Sequence, residues 1–292
     1  MLKYDLNHTS FFIFSVNMTK IRLALCQMNV IDNKKANIEK AESMICQSVD
    51  RNANFIVLPE MFNCPYSNDK FIEYGEKESE SITLKYISKL AKQHNVYILA
   101  GSIPERENDK LYNTSYLFDK TGSVIAKHRK MHLFDIDVTG KITFKESDVL
   151  TAGDDFTVAD TEFGRIGMGI CYDVRFVELA RIMVENGAEI LFYPGAFNQT
   201  TGPAHWELLF RSRALDNQVF CVGVAPALNM DASYHSYGHS IVTNPWGEVV
   251  CQADEKEDLI ICEIDLDEIK KVRQELPVLK NKREDLYEVK FK

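Results

Sequence analysis

The sequence predicts an α/β protein in which helices lie outside two facing sheets. Segments typical of strands and helices alternate from residue 20 onward. The two halves also repeat one order of elements, since IRLALCQ and NFIVLPEMF in the first half correspond to RIGMGICYD and AEILFYPGAF in the second. Each half runs strand, helix, strand, proline and apolar loop. This repetition predicts two similar layers that face each other within one domain.

The first half contains strand, helix and hairpin signals. Apolar runs predict strands at residues 21–26, 54–58 and 96–103, and helical spacing of apolar residues predicts helices at 38–49 and 81–94. The turn sequence DKTG at 119–122 separates two further strands, 111–118 and 123–128. A turn ending in glycine between two such strands predicts an antiparallel hairpin.

The second half repeats these signals and extends them. Strands are predicted at residues 156–160, 165–170, 189–193, 219–224, 236–242, 248–250 and 259–263, and helices at 176–184, 206–215 and 265–274. The turn sequences EFG at 162–164 and NPWG at 244–247 predict hairpins. Asp265 is the predicted N-cap of the last helix. The basic tail after Pro277 is expected to cross a surface or contact a subunit partner.

Composition excludes several classes of partner. The chain has 34 basic and 43 acidic residues and a net charge of −9, whereas binding to nucleic acid needs a positive field. No apolar run approaches the roughly 18–20 residues that cross a bilayer, and the run at 11–16 is too short for a signal peptide. The seven cysteines form no CxxC pair, which predicts free thiols and a cytoplasmic location.

The first seventeen residues differ from the rest of the chain. They show no clear period, and Met18 stands two positions before the start of the strand-like run KIRLALCQ. We therefore expect residues 1–17 to be an N-terminal extension or a mis-assigned start. Residues 18–292 are expected to form a single domain with a C-terminal tail.

Three residues that carry reactive groups follow predicted strands. Glu60 follows FIVLP, Lys130 follows VIAKHR and Cys171 follows RIGMGI. In α/β sheets functional groups collect beyond the carboxyl ends of the strands. These residues are therefore the first candidates for a catalytic site.

Cys171 lies in GMGICYD, where Gly167 and Gly169 remove side chains beside the strand. A strand-to-helix turn would present the thiol, and the helix N-terminus would favour a thiolate, which is the nucleophilic form. The alternative is an inert core cysteine, which is the commoner fate of a free thiol.

Glu60 and Lys130 also have ordinary alternatives. Burial of Glu60 between Pro59 and an apolar pair would raise its pKa toward that of a general base, but the segment alone favours an exposed loop glutamate, because glutamate is rarely buried unless it is paired. Lys130 belongs to the basic run AKHRKMHLFD, which is compatible with a solvated face. If the apolar flanks carry Lys130 into the core, it needs an acidic partner, and Glu60 or Glu146 could provide it.

Metal and nucleotide signals are weak. Histidines are spaced four apart in the pairs 128/132 and 235/239, but neither pair lies on a clear helix and no HExxH occurs. Neither GxxxxGK[ST] nor GxGxxG is present in the sequence. We therefore predict no metal and no organic cofactor. Arginines that could bind a substrate carboxylate are Arg175, Arg211 and Arg213.

Three blocks together resemble a known group of enzymes. LPEMF at 58–62, HRKMHLFD at 128–135 and GICYDVRF at 169–176 resemble the catalytic blocks of the nitrilase superfamily, the carbon–nitrogen hydrolases. HLFDID, FKES, TGPAHWELLFRSRALDNQ and the pair GHS and NPWGE look most like the ω-amidase branch. The resemblance runs from about residue 20 to the C-terminus.

The resemblance implies a four-layer αββα sandwich, a homodimer and a thiol mechanism. In it Cys171 would be the nucleophile, Glu60 the general base, Lys130 the stabiliser of oxyanion charge and Glu146 a second glutamate beside them. The backbone N–H of Tyr172 would share the oxyanion.

The substrates that the resemblance implies are monoamides of short dicarboxylates, such as 2-oxoglutaramate and 2-oxosuccinamate. A small anion requires local cations in an acidic protein, and Arg175 is our first candidate, followed by Arg213. Alternatives are an N-carbamoyl-amine hydrolase, a nitrilase, a zinc enzyme or a non-catalytic binding protein.

Overall fold

The computed structural model describes residues 19–292, so the expectations for residues 1–17 lie outside the described residues. The strands of the first half are β1 (Lys20–Gln27), β2 (Phe55–Val57), β3 (Tyr97–Leu99), β4 (Ile103–Glu107), β5 (Lys110–Phe118), β6 (Val124–Arg129), β7 (Asp135–Val138) and β8 (Ile142–Lys145). Those of the second half are β9 (Thr157–Thr161), β10 (Gly164–Met168), β11 (Ile190–Pro194), β12 (Phe220–Val224), β13 (Ile241–Thr243), β14 (Val249–Gln252) and β15 (Asp258–Asp265).

The α-helices are α1 (Lys34–Asp50), α2 (Asn68–Tyr74), α3 (Ile82–His94), α4 (Val177–Glu185), α5 (Gly202–Asn217) and α6 (Asp267–Glu275). Two short 3₁₀ helices span Glu146–Asp148 and Cys171–Arg175. Among the helices of residues 19–292, none is long and apolar enough to cross a membrane.

Two sheets organise the fold, and each has a parallel centre. The seven-stranded sheet has the order β15-β1-β2-β3-β5-β4, with β6 paired to β5, and the six-stranded sheet has the order β14-β13-β12-β11-β10-β9. Strands β1, β2 and β3 run parallel in the first sheet, as β10, β11 and β12 do in the second. The predicted repetition of one layer pattern is therefore confirmed.

The layers are held together by apolar packing on both faces of each sheet. Between the sheets, Phe55 stacks on Phe192 with ring centroids 4.9 Å apart. Helices α1 and α3 cover the outer face of the first sheet, where Ile45 is fully buried. Helices α4 and α5 cover the second, where Phe210 is fully buried. The order helix, sheet, sheet, helix confirms the expected αββα sandwich.

The predicted strand at 96–103 divides in two. Strand β3 ends at Leu99, and β4 begins at Ile103 and pairs with β5 instead. The division occurs at Gly101, whose φ of +45° lies in the left-handed region that favours glycine. A Cβ there would lie 1.9 Å from the carbonyl oxygen of Pro59. This close approach turns the chain beside the segment that carries Glu60.

Other boundaries also differ from the sequence-based predictions. The last helix begins at Asp267 with Leu266 before it, so the prediction of Asp265 as its N-cap is wrong. Asp265 still accepts the Asp267 N–H at 3.1 Å, in an Asx turn that precedes the helix. Of the predicted strand at 236–242, only the short strand β13 is observed. Helix α5 begins at Gly202, before the predicted start at residue 206, because its first turn contains Pro203 and shows no apolar periodicity that would reveal it. Helix α2 and the two-stranded β7–β8 sheet were not predicted, because their segments are too short to show a clear hydrophobic period.

Candidate active site

Glu60 is held from both sheets at once. It follows β2 and its side chain is fully buried. Its Oε1 accepts a hydrogen bond from Asn113 Nδ2 at 2.8 Å, and its Oε2 accepts one from the Ala196 N–H at 2.7 Å. Asn113 belongs to β5 of the first sheet, and Ala196 follows β11 of the second. These bonds fix the carboxylate at the junction of the two layers.

Lys130 lies between two carboxylates. It directly follows β6, and its Nζ is 3.0 Å from Glu60 Oε1 and 2.9 Å from Glu146 Oε2, with all three side chains fully buried. Glu146 also accepts hydrogen bonds from the Tyr66 hydroxyl and the Phe134 N–H, each at 2.7 Å. The predicted need of a buried Lys130 for acidic partners is confirmed, with both candidate glutamates serving.

Cys171 occupies a tight turn after β10. It opens the 3₁₀ helix Cys171–Arg175 with φ at +47°, a strained value for a residue with a side chain. Its side chain is buried, and Glu60 lies near enough to raise the pKa of its thiol. The segment after β11 passes close by, since a Cβ on Gly195 would lie 3.1 Å from Cys171 Cα. Such turns present a nucleophile at the end of a sheet.

The thiol, not the thiolate, is the favoured form of Cys171. Burial raises the pKa of Cys171 well above its ordinary value and Glu60 raises it further, while Lys130 lowers it. The expectation that a helix N-terminus favours the thiolate is therefore wrong, because a single 3₁₀ turn is outweighed by burial and a neighbouring carboxylate.

The pKa values of the two neighbours of the thiol are also displaced. Burial raises the pKa of Glu60, although Lys130 acts in the opposite sense. Burial alone would lower the pKa of Lys130, but Glu146 and Glu60 together raise it well above its ordinary value. A thiol thus lies beside a carboxylate of raised proton affinity and a permanent cation. That arrangement suits nucleophilic attack with proton transfer to the carboxylate.

Asp173 connects the Cys171 turn to the Lys130 segment, a role that the sequence did not reveal. Its Oδ1 accepts the His132 N–H at 3.0 Å and lies 2.8 Å from His132 Nδ1, while its Oδ2 accepts the Ile170 N–H at 2.9 Å and lies 3.1 Å from His128 Nε2. Despite burial, the histidines and the Ile170 N–H hold the pKa of Asp173 well below its usual range. The carboxylate therefore fixes the Cys171 turn against the strand end that carries Lys130.

The remaining predicted residues lie around the same turn. The Tyr172 ring packs edge-on against Phe134 at 5.3 Å between centroids, and its N–H is at the start of the 3₁₀ helix, where N–H groups lack an intrahelical acceptor. Arg175 extends over the Phe197 ring at 4.7 Å. Arg213 is buried, and its Nε and Nη2 donate to the carbonyls at 174 and 175, at 2.7 and 3.1 Å. These hydrogen bonds hold the backbone of the turn that carries Arg175.

Three of the four histidines in the two pairs contact other side chains of the protein. His128 and His132 both contact Asp173, and His239 stacks on Tyr237 with centroids 3.9 Å apart. Among residues 19–292, no group of three or more His, Cys, Asp or Glu side chains is arranged to hold a metal ion.

A narrow cavity reaches Glu60 from outside. Its walls include Met61, Tyr66, Tyr234 and Ser236, and an adjoining groove shares Tyr66 and Tyr234. The two tyrosine rings lie 4.5 Å apart. Tyr66, Asn113 and Tyr234 stand in segments without a motif, so no local signal identifies them as part of the site.

Buried Glu60, Lys130 and Cys171 at the junction of an αββα sandwich define a class of enzyme. Residues 22–274 match the carbon–nitrogen hydrolase family, which covers most of the chain. The protein belongs to this family.

Several known proteins are similar to this chain over most of its length. Omega-amidase NIT2 of Homo sapiens is 50% identical over 275 residues, which cover 94% of this chain and 99% of that protein. The crystal structure of Saccharomyces cerevisiae Nit3, a member of branch 10 of the nitrilase superfamily, is 41% identical with a TM-score of 0.84, over 91% of this chain and 97% of that one. The C. elegans NitFhit protein is 33% identical with a TM-score of 0.85, over 93% of this chain and 67% of that one.

The raised pKa of Glu60 predicts an acid limit on activity. A general base must be ionised, so kcat/KM should fall as the pH drops through a midpoint above 4.5, the ordinary value for a glutamate pKa. The measurement is kcat/KM from pH 4 to 9, with circular dichroism to confirm that the protein stays folded. Glu268→Gln is the control, because burial also raises the pKa of Glu268 but α6 is remote from the site. Full activity at pH 4.5 would contradict the assignment of Glu60 as base.

Asp173→Asn should lower kcat by about 100-fold with little change in KM, because small displacements of reacting groups have effects of that order. The rate at which iodoacetamide alkylates Cys171, followed by peptide mass spectrometry below the melting temperature, reports the same displacement. Asp160→Asn is the matched control, since it removes an exposed carboxylate paired with Arg165. Unchanged kcat and alkylation in a folded Asp173→Asn protein would show that Asp173 does not position the nucleophile.

Proposed function

We propose that this carbon–nitrogen hydrolase is an ω-amidase. It hydrolyses monoamides of short dicarboxylates, such as 2-oxoglutaramate and 2-oxosuccinamate, to the dicarboxylate and ammonia. Its relatives at about 50% identity carry the name omega-amidase. The observation that carries the proposal is a half-buried arginine without an acidic partner beside the nucleophile.

That arginine is Arg175. Its Nε is buried and has no hydrogen-bond partner in residues 19–292, and the arginine salt bridges of those residues do not include it. Its Nη1 is 3.2 Å from His205 Nδ1. Burial lowers the pKa of Arg175, while the nearby Cys171 raises it. A desolvated cation without a counter-ion is costly unless a ligand supplies the negative charge, and a carboxylate matches the guanidinium geometry.

The first chemical step forms a thioester. Glu60 takes the proton from Cys171 Sγ, and the sulfur attacks the amide carbon. The negative charge that develops on the amide oxygen is stabilised by Lys130 and the N–H of Tyr172. The carbon–nitrogen bond then breaks, and the nitrogen leaves as ammonia with the proton that Glu60 held.

The second step releases the acid. Glu60 takes a proton from water, and the resulting hydroxide attacks the thioester carbon. The carbon–sulfur bond breaks, and the proton returns from Glu60 to Cys171 Sγ. Glu146 stays paired with Lys130 throughout and supports its charge when Glu60 is neutral.

The molecule is further proposed to act as a cytoplasmic homodimer. Free thiols at all seven cysteines are compatible with a reducing compartment. Helices α4 and α5 expose the apolar side chains Val177, Leu208 and Leu215, which supports contact with a second copy.

Substrate comparison tests the proposed activity. The protein should release ammonia from 2-oxoglutaramate and act poorly on an N-carbamoyl amine or a nitrile. Arg175→Lys should raise KM for 2-oxoglutaramate about tenfold or more, since lysine cannot bind a carboxylate bidentately, and should change KM for neutral pentanamide much less. Arg211→Lys is the control, because Arg211 bonds to Glu207 and the Gly247 carbonyl instead.

Two outcomes would contradict the proposal. Faster hydrolysis of the carbamoyl compound, with release of carbon dioxide, would favour the alternative carbon–nitrogen hydrolase. Equal effects of Arg175→Lys on the anionic and neutral amides would remove Arg175 from the substrate site.

A further inference from the structure

Asn198 has a buried amide group that the fold uses only in part. The residue is 4% exposed. Its Oδ1 accepts hydrogen bonds from the N–H groups of Thr200 and Thr201, both at 2.9 Å. Its Nδ2 has no hydrogen-bond partner in residues 19–292. Because the oxygen is fixed by two donors, the amide cannot be reversed to satisfy the nitrogen.

The unpartnered nitrogen belongs to the surroundings of Arg175. Asn198 directly follows Phe197, whose ring lies beneath the Arg175 guanidinium. Asn198 also pairs with Ser236 in an isolated β-bridge, and Ser236 lines the cavity that reaches Glu60. Tyr234 lines the same cavity, and its hydroxyl donates to the carbonyl of Ala196, two residues before Asn198, at 2.6 Å.

Two buried N–H donors, Arg175 Nε and Asn198 Nδ2, thus lack acceptors among residues 19–292, and they belong to the two segments that meet at Phe197. Buried donors are normally paired, and exceptions of this kind indicate a missing partner. The missing group must offer oxygen acceptors and negative charge, since Arg175 also lacks a counter-ion. A carboxylate has both, and its two oxygens can accept from two separate donors.

We infer that Arg175 and Asn198 form one subsite for the carboxylate of the substrate, in which Asn198 Nδ2 donates a hydrogen bond to a carboxylate oxygen. This inference rests on the proposed function, because it assigns the acid end of the proposed amide substrate. Asn198 is therefore a specificity residue, and it selects amides that carry a carboxylate at the far end.

Asn198→Asp tests the inference while preserving the local turn. Aspartate keeps an oxygen for the Thr200 and Thr201 N–H groups, but it replaces the donor with a negatively charged acceptor that also pairs with Arg175. The readout is the ratio of kcat/KM for succinamate to kcat/KM for pentanamide, a neutral amide of similar length. This ratio should fall about 10- to 100-fold, the range expected for a hydrogen bond to a charged group.

Two further variants keep the test decisive. Asn33→Asp is the matched control, since Asn33 caps α1 through the same kind of Oδ1 bond, to the Ala36 N–H at 3.0 Å, and should leave the ratio unchanged. Asn198→Ser retains an oxygen for the turn and removes the amide donor. It should lower the ratio as well, and it replaces Asn198→Asp if that protein does not fold.

The outcomes separate this inference from the proposed function. A wild-type protein without preference for succinamate over pentanamide would overturn the proposed function. A wild-type protein with that preference, together with folded Asn198 variants that retain it in full, would overturn the carboxylate subsite alone. Combining Asn198→Ser with Arg175→Lys should give a loss smaller than the product of the single losses, because both residues act on one carboxylate.

Discussion

The buried ammonium group of Lys130 is the constraint on which the site depends. A lone charge in the interior is too costly to maintain, and two carboxylates, those of Glu60 and Glu146, lie within 3.0 Å of it. The carboxylates in turn need donors, which come from Asn113 on the first sheet and the Ala196 N–H beyond the second. Burial of this one charge therefore depends on segments of both sheets being held together in one arrangement.

The charge balance of this group explains how it can work as a catalyst. Burial, together with the net negative charge of one ammonium between two carboxylates, keeps the nearby Cys171 protonated at rest. When Glu60 accepts the thiol proton, the excess negative charge moves to the sulfur, and Lys130 loses one of its two counter-ions. Its field then becomes available to the substrate oxygen as negative charge develops there. Proton transfer and oxyanion stabilisation are thus linked through one cation.

Local sequence signals were sufficient for the repeated strand–helix–strand layers and for the residues that end strands. Glu60, Lys130 and Cys171 could be identified because each follows an apolar strand and lies in a recognisable block. The protonation state of Cys171 could not, because it depends on burial and on Glu60, 111 positions earlier in the chain. Asp173 was also missed, since its partners are histidines about 40 residues away that resembled a weak metal motif.

The residues proposed to bind the substrate carboxylate were only partly predictable from the sequence. Three arginines were candidates in the sequence, with Arg175 ranked first and Arg213 second, but only the structure shows that Arg213 donates to backbone carbonyls whereas Arg175 Nε has no acceptor in the described residues. Asn198 gave no signal in the sequence, because a donor without an acceptor can be recognised only when all the hydrogen bonds of the folded chain are known. Such incomplete hydrogen bonding is a tertiary property, and it indicates the substrate more directly than any motif.

We propose that hydrolysis proceeds through an acyl group on Cys171. This intermediate can be detected by intact mass spectrometry of the protein quenched in acid during turnover of 2-oxoglutaramate. We expect an adduct equal in mass to the substrate less ammonia, located on Cys171 by peptide mapping and absent from an inactive Cys171→Ala protein. Turnover by Cys171→Ala, or an adduct on a different residue, would contradict it.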